Sequence, residues 1–166
     1  YLGNNMPGAA IADLEIHESS MDLIAATHGR GIYKINLRPV HSLVNKQFST
    51  DKDYLFDITE NQLPWFQSAS GVPDYRTIEK TTITWWMNEA KPVSLLVKDT
   101  ANKEIWSIHL KGEPGFNQYR WDLIVSRQNS DLPYFTQYEK YIKAGTYKLI
   151  LSDGKSELWR TFIIKE

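Results

Sequence analysis

The sequence predicts an all-β protein: an antiparallel β-sandwich preceded by a three-stranded antiparallel meander. Three observations carry that prediction. Apolar and aromatic residues alternate with polar ones over short runs, the period of two that belongs to half-buried strands. Those runs are closed by Gly, Asn, Asp or Pro, the residues that turn a chain. The composition, 42% hydrophobic and 13% aromatic with 6 Trp and 9 Tyr, provides enough bulk for a packed core in a chain of 166 residues.

The first forty residues hold three strand signals, Ile11 to His17, Met21 to Thr27 and Gly31 to Leu37. Glu18-Ser19-Ser20 is short enough to close a hairpin, and His28-Gly29-Arg30-Gly31 places two glycines where a tight turn needs positive φ. Residues 38–76 read as a linker: polar to about Thr50, then Tyr54-Leu55-Phe56, then the Pro- and Gly-punctuated stretch Leu63 to Pro73, which carries aromatic anchors. From residue 77 onward the strands crowd together. Ile83, Trp85 and Met87 share one side of the first, expected to face the core, while Thr82, Thr84 and Trp86 share the other. Val93, Leu95 and Val97, then Trp106, Ile108 and Leu110, then Tyr119, Trp121 and Leu123, then Tyr147, Leu149 and Leu151 repeat the alternation, and Leu158 to Ile164 forms a last strand. Tyr134 to Lys143 differs, because Tyr138, Tyr141 and Ile142 stand at i, i+3 and i+4; one helical turn or a packed loop fits that spacing. The expected organisation is therefore 1–37, 38–76 and 77–166.

Charge and cysteine content narrow the function classes. With 19 Lys and Arg against 20 Asp and Glu the net charge is −1, so no general attraction to polyanions is expected and a nucleic-acid partner is not predicted. The absence of cysteine removes disulfides, zinc–thiolate sites and thiol nucleophiles. No continuous apolar run approaches the roughly 20 residues that span a bilayer. The chain opens Tyr1-Leu2-Gly3, as expected of a piece of something longer.

Asp13-Leu14-Glu15-Ile16-His17 followed by Asp22 to Tyr33, with Thr27-His28-Gly29-Arg30-Gly31 at its centre, resembles the closing blade of the large β-propellers of sortilin-like proteins and bacterial glycosyl-hydrolase proteins with neuraminidase repeats. Val93 to Asp99, Gly115 to Leu123 and Ala144 to Leu151 are similar to the immunoglobulin-like domain that follows such propellers in exported Bacteroidetes proteins, and to the flagellar hook-capping immunoglobulin-like module. The resemblance implies a propeller last-blade fragment over 1–37 and an Ig-like sandwich over 77–166. It implies a non-catalytic accessory domain placed outside the cytoplasm, in the periplasm, at the cell surface or secreted. Its expected partner is the remainder of the parent propeller. An isolated blade leaves a face and two edges uncovered, so self-association through the blade fragment is a further expectation.

Residue types that could carry chemistry are present but scattered. His17, His28, His41 and His109 show no pairwise spacing that brings two imidazoles to one metal, so neither a metal site nor a cofactor is expected. Gly29-Arg30-Gly31 lacks the third glycine and the following helix of a dinucleotide fingerprint and reads as a turn, with Arg30 expected to hold a carboxylate such as Asp13. Ser152-Asp153-Gly154-Lys155 has Ser-x-x-Lys spacing, yet Asp-Gly between alternating strands is first a hairpin. Asp13, Glu15 and Asp22 are acids of the kind a glycosidase pairs across a cleft, but read here as a solvated strand face and a turn residue. No catalytic residue is expected. The candidate contacts for a glycan or partner are aromatic: Trp86, expected to point away from the core, together with Trp65, Phe66 and Trp159. The alternative function is accordingly a carbohydrate-binding module that grips a polysaccharide through exposed tryptophans.

Overall fold

A computed structural model describes residues 8–58, 61–62, 80–129 and 137–165, and the chain divides into two compact units, Tyr1–Ser49 and Thr50–Glu166. Among the described residues the chain is all-β apart from one short helix.

In the first unit β1 (Ile11–His17), β2 (Asp22–Thr27) and β3 (Ile32–Asn36) form the expected antiparallel meander. The β2–β3 turn uses Gly29 and Gly31 at φ of 76° and 90°, which a residue with a Cβ adopts only with strain. The register puts Leu14 opposite Ala25 opposite Tyr33, and Ile16 opposite Leu23 opposite Ile35, so one face is wholly apolar. Asp13, Glu15, Asp22, Lys34 and Asn36 fall on the other. Of this sheet only Ala25 is buried; Leu14 and Ile16 are 57% and 53% exposed. Helix α1 (Arg38–Val44) follows, within the stretch read as linker. Pro39 in its first turn supplies a pre-set φ without wasting a donor.

The second unit holds β4 (Tyr54–Leu55), β5 (Asn61–Gln62), β6 (Thr81–Met87), β7 (Lys91–Lys98), β8 (Glu104–Gly112), β9 (Gly115–Trp121), β10 (Ile124–Asn129), β11 (Gln137–Tyr141), β12 (Gly145–Ser152) and β13 (Glu157–Lys165). They build a five-stranded sheet ordered β5-β13-β12-β7-β8, a three-stranded sheet β4-β6-β9 and a ribbon β10-β11. Among the described residues all pairings are antiparallel except β13 with β5. The two larger sheets share one core. Leu55, Ile83, Trp85, Met87 and Trp121 come from the smaller, and Val93, Leu95, Val97, Leu149, Leu151, Phe162 and Ile164 from the larger. The inward set expected on the first sandwich strand, Ile83, Trp85 and Met87, is exposed by no more than 2%. Trp106, Ile108 and Leu110 lie on the inner side as expected but are only half-buried, because β8 is the edge of its sheet.

Four strands depart from expectation: β5, inside the expected linker, and β10 stand where no strand is expected, and β11 and β4 replace other readings. Residues 137–141 form β11 rather than a helical turn, since their backbone pairs antiparallel with β10, with Gln137 opposite Asn129 and Tyr141 opposite Ile124. The spacing of Tyr138, Tyr141 and Ile142 mimics a helix although the three do not share a helical face; Ile142 anchors the end of the ribbon, 3% exposed and donating its N–H to Leu123 O. Tyr54–Leu55, within the expected linker, is a sandwich strand paired to Trp86 and Trp85.

Candidate functional site

The histidines are held apart. His17 Nδ1 lies 2.9 Å from Ser20 Oγ, and Ser20 donates its single proton to Asp22 Oδ2 at 2.9 Å, so toward His17 it accepts and the proton sits on Nδ1. His41 meets the amide of Asn45, and His109 Nδ1 lies 2.7 Å from Ser94 Oγ across β7 and β8. Among the described residues no group of three or more His, Cys, Asp or Glu side chains could hold a metal ion.

The acids of the meander are equally separate. Asp13 and Glu15 are exposed on β1. Asp22 accepts from Ser20 and Asn36 and pairs with Lys34 at 3.4 Å. Partial burial works to raise its pKa, but those hydrogen bonds and the ammonium together outweigh it and hold the carboxyl below the usual value. Arg30 does not hold Asp13: it is exposed in the glycine turn, and Asp13 instead accepts from the backbone N–H of Leu14. A turn that projects beyond the strands leaves its arginine in water, where an ion pair contributes little.

Ser152-Asp153-Gly154-Lys155 is the β12–β13 hairpin. Asp153 Oδ1 accepts from the N–H groups of Lys155 and Ser156 at 2.9 and 2.7 Å, and Gly154 turns at φ 83°. The Asp153 carboxyl is held far below its ordinary pKa, first by the Ser156 and Lys155 N–H groups and then by Lys91. Lys91 Nζ stands 2.8 Å from Asp53, 3.2 Å from Asp153 and 3.7 Å from Glu89, and its own pKa is raised, chiefly by the Asp53 hydrogen bond. One ammonium thus ties the chain before β4, the start of β7 and the last hairpin together. That is a structural clasp, and sequence reasoning missed it because its partners lie about forty and sixty residues away.

The aromatic candidates separate into two places. Trp86 points away from the core, as alternation requires, into a cluster outside the smaller sheet. Its ring meets Phe116 edge-on at 5.1 Å, Phe116 lies 5.9 Å from Phe56, and Phe56 meets Tyr54 edge-on at 5.0 Å. The indole N–H donates to Thr50 O at 3.1 Å, and the Arg160 guanidinium stands over Tyr54 while pairing with Asp57 at 2.8 Å. Trp86 is half-buried and Phe56 buried, so this cluster packs like a small satellite core. Trp159 lies on the outer face of the five-stranded sheet, 54% exposed, with Lys148 Nζ 4.6 Å from its ring centroid. Trp65 and Phe66 lie outside the described residues. Of the five tryptophans described, Trp85 and Trp121 are core, Trp86 and Trp106 are half-buried, and Trp159 alone is more than half exposed.

Neither a scan against protein-family models nor a search of curated proteins gives a match for this chain. No helix among the described residues is long and apolar enough to cross a membrane.

Proposed function

We propose that this chain is a non-catalytic accessory module of an exported, propeller-containing, glycosyl-hydrolase-like protein, in which the sandwich supports the edge of a larger β-assembly. The observation that carries the reading is the meander of β1 to β3. Its face of Leu14, Ile16, Leu23, Ala25, Tyr33 and Ile35 is that of a strand layer built to be covered, yet Leu14 and Ile16 are more than half exposed. Three short strands with a partly uncovered apolar face are marginal in water, so such a sheet belongs with neighbouring strands supplied by the rest of a parent protein. The inward placement of Trp85 and Trp121 supports the same reading, since aromatic rings packed into a core serve stability rather than recognition.

Hydrogen exchange tests this. In the isolated chain the amides of β1 to β3 exchange far faster than those of β7 and β12, and in the longer parent they become protected. Equal protection of the meander in both would contradict the reading, as would turnover of chromogenic glycosides by the isolated chain.

One observation favours a second reading, a carbohydrate-binding module. Trp159 presents an exposed indole on a rigid sheet, the flat apolar surface on which a sugar ring stacks.

A further inference from the structure

The outer face of the five-stranded sheet carries a group that neither the core nor the clasp uses. Leu149 and Leu151 face the core, so Lys148 and Ile150 lie on the opposite side of the sheet, where Ile150 is buried and Lys148 half-buried. The register sets Ile150 between Leu96 and Trp159, and Lys148 between Lys98 and Thr161. Two lysines therefore stand directly opposite each other on adjacent strands, an arrangement that works against the sheet. The acids of that face are Glu104, opposite Lys98, and Glu157, two residues from Trp159; among the described residues neither holds either ammonium in an ion pair. Lys148 leans instead on the Trp159 ring.

The geometry points to this face as a binding surface for a uronic-acid polysaccharide, with a pyranose ring on Trp159 and its carboxylate between Lys98 and Lys148. The inference rests on the carbohydrate-binding reading and names the class of sugar. Its argument is the position of the Lys148 ammonium. A sugar that stacks on the side of the indole that Lys148 covers must move that ammonium off the ring. A neutral sugar offers nothing in exchange, whereas a carboxylate gives the ammonium a charge-assisted hydrogen bond and relieves its repulsion from Lys98 at the same time. Thr161, opposite Lys148, brings a hydroxyl to the same place. A polynucleotide is a poorer fit, because a duplex or strand needs a long basic track and the chain as a whole carries a charge of −1.

The test is isothermal titration of the full chain with an oligogalacturonide, with the same oligomer methyl-esterified, and with dextran sulfate. The acid form is expected to bind and to shift tryptophan fluorescence. Its affinity falls about tenfold in Trp159→Ala and in the double variant Lys98→Gln/Lys148→Gln, and the ester binds about tenfold more weakly than the acid. Both variants change exposed or half-exposed side chains, and a single cooperative thermal melt in each confirms that they fold. No binding by the acid form, or binding untouched by the lysine pair, overturns the inference. Equal binding of acid and ester, lost in Trp159→Ala, also overturns it while leaving a neutral-glycan module standing. Dextran sulfate binding that depends on the lysines but not on Trp159 overturns both, since the face would then attract any polyanion.

Discussion

Trp121 joins the layers of the sandwich through three sides of its ring. It stacks on Trp106 at 4.7 Å, meets Phe162 edge-on at 6.4 Å and donates its indole N–H to Ile124 O at 3.2 Å. Trp121→Ala would lose all three contacts and leave a cavity in the core, at a cost of about 3–5 kcal/mol in urea unfolding. Gly112 works by having no side chain: a Cβ there would run into the buried Met87 side chain and lie 3.2 Å from Lys91 O. Gly112→Ala is expected to cost about 1–3 kcal/mol, read as a lowered melting temperature. Leu123, fully buried, turns the chain at φ 64°, a left-handed conformation unusual for a branched residue; Asp122 Oδ1 supports it by accepting from Ile124 N–H. The Asp153 carboxyl gives the pH dependence. Its pKa is depressed in the folded chain, so its contribution is present above the ordinary carboxylate value of about 4 and is lost as pH falls below it. Urea titrations at pH 7 and pH 3 should show Asp153→Asn losing less stability between the two than the wild type; an equal loss would show that the clasp is not linked to acid unfolding.

Among the elements, those whose residues alternate cleanly are legible in the sequence itself. β1, β2 and β3 begin and end within a residue or two of the expected runs, and Val93, Leu95 and Val97 or Leu149 and Leu151 declare their buried side by period alone. The elements that escape such reading are those fixed by distant partners. Tyr54–Leu55 is two residues long and becomes a strand only because β6 offers it a ladder; 137–141 becomes β11 only because β10 does. The same limit applies to the candidate surface. Trp159 is legible as an aromatic on a final strand, but its company of Lys148 and Lys98 depends on β12 lying between β13 and β7, which no local pattern encodes. Trp86 faces outward as alternation requires, yet Thr50, thirty-six residues away, takes its N–H. Hydrogen exchange should rank the elements by their cover: β12 and β7, central in their sheet and lined by Leu149, Leu151, Leu95 and Val97, most protected, and β1, exposed along its whole length, least.

At the scale of the molecule the chain joins a unit with a substantial core to one with almost none. The core of the second unit is drawn from both of its larger sheets, whereas Ala25 is the only residue buried in the meander. A domain holds together by burying apolar surface between layers, and among the described residues only the second unit shows such a core. Everything proposed for the protein depends on that contrast: a packed core lies beneath the proposed binding face, and the meander is, in the proposed function, a layer that a parent protein would cover. The most direct test of the sandwich is an NMR measurement of nuclear Overhauser effects from the Trp121 indole. Strong cross-peaks to the rings of both Phe162 and Trp106 are predicted, because Phe162 and Trp106 belong to the sheet that faces β9. Cross-peaks confined to residues of β6 and β9, with none to Phe162 or Trp106, would mean that the two sheets do not face each other.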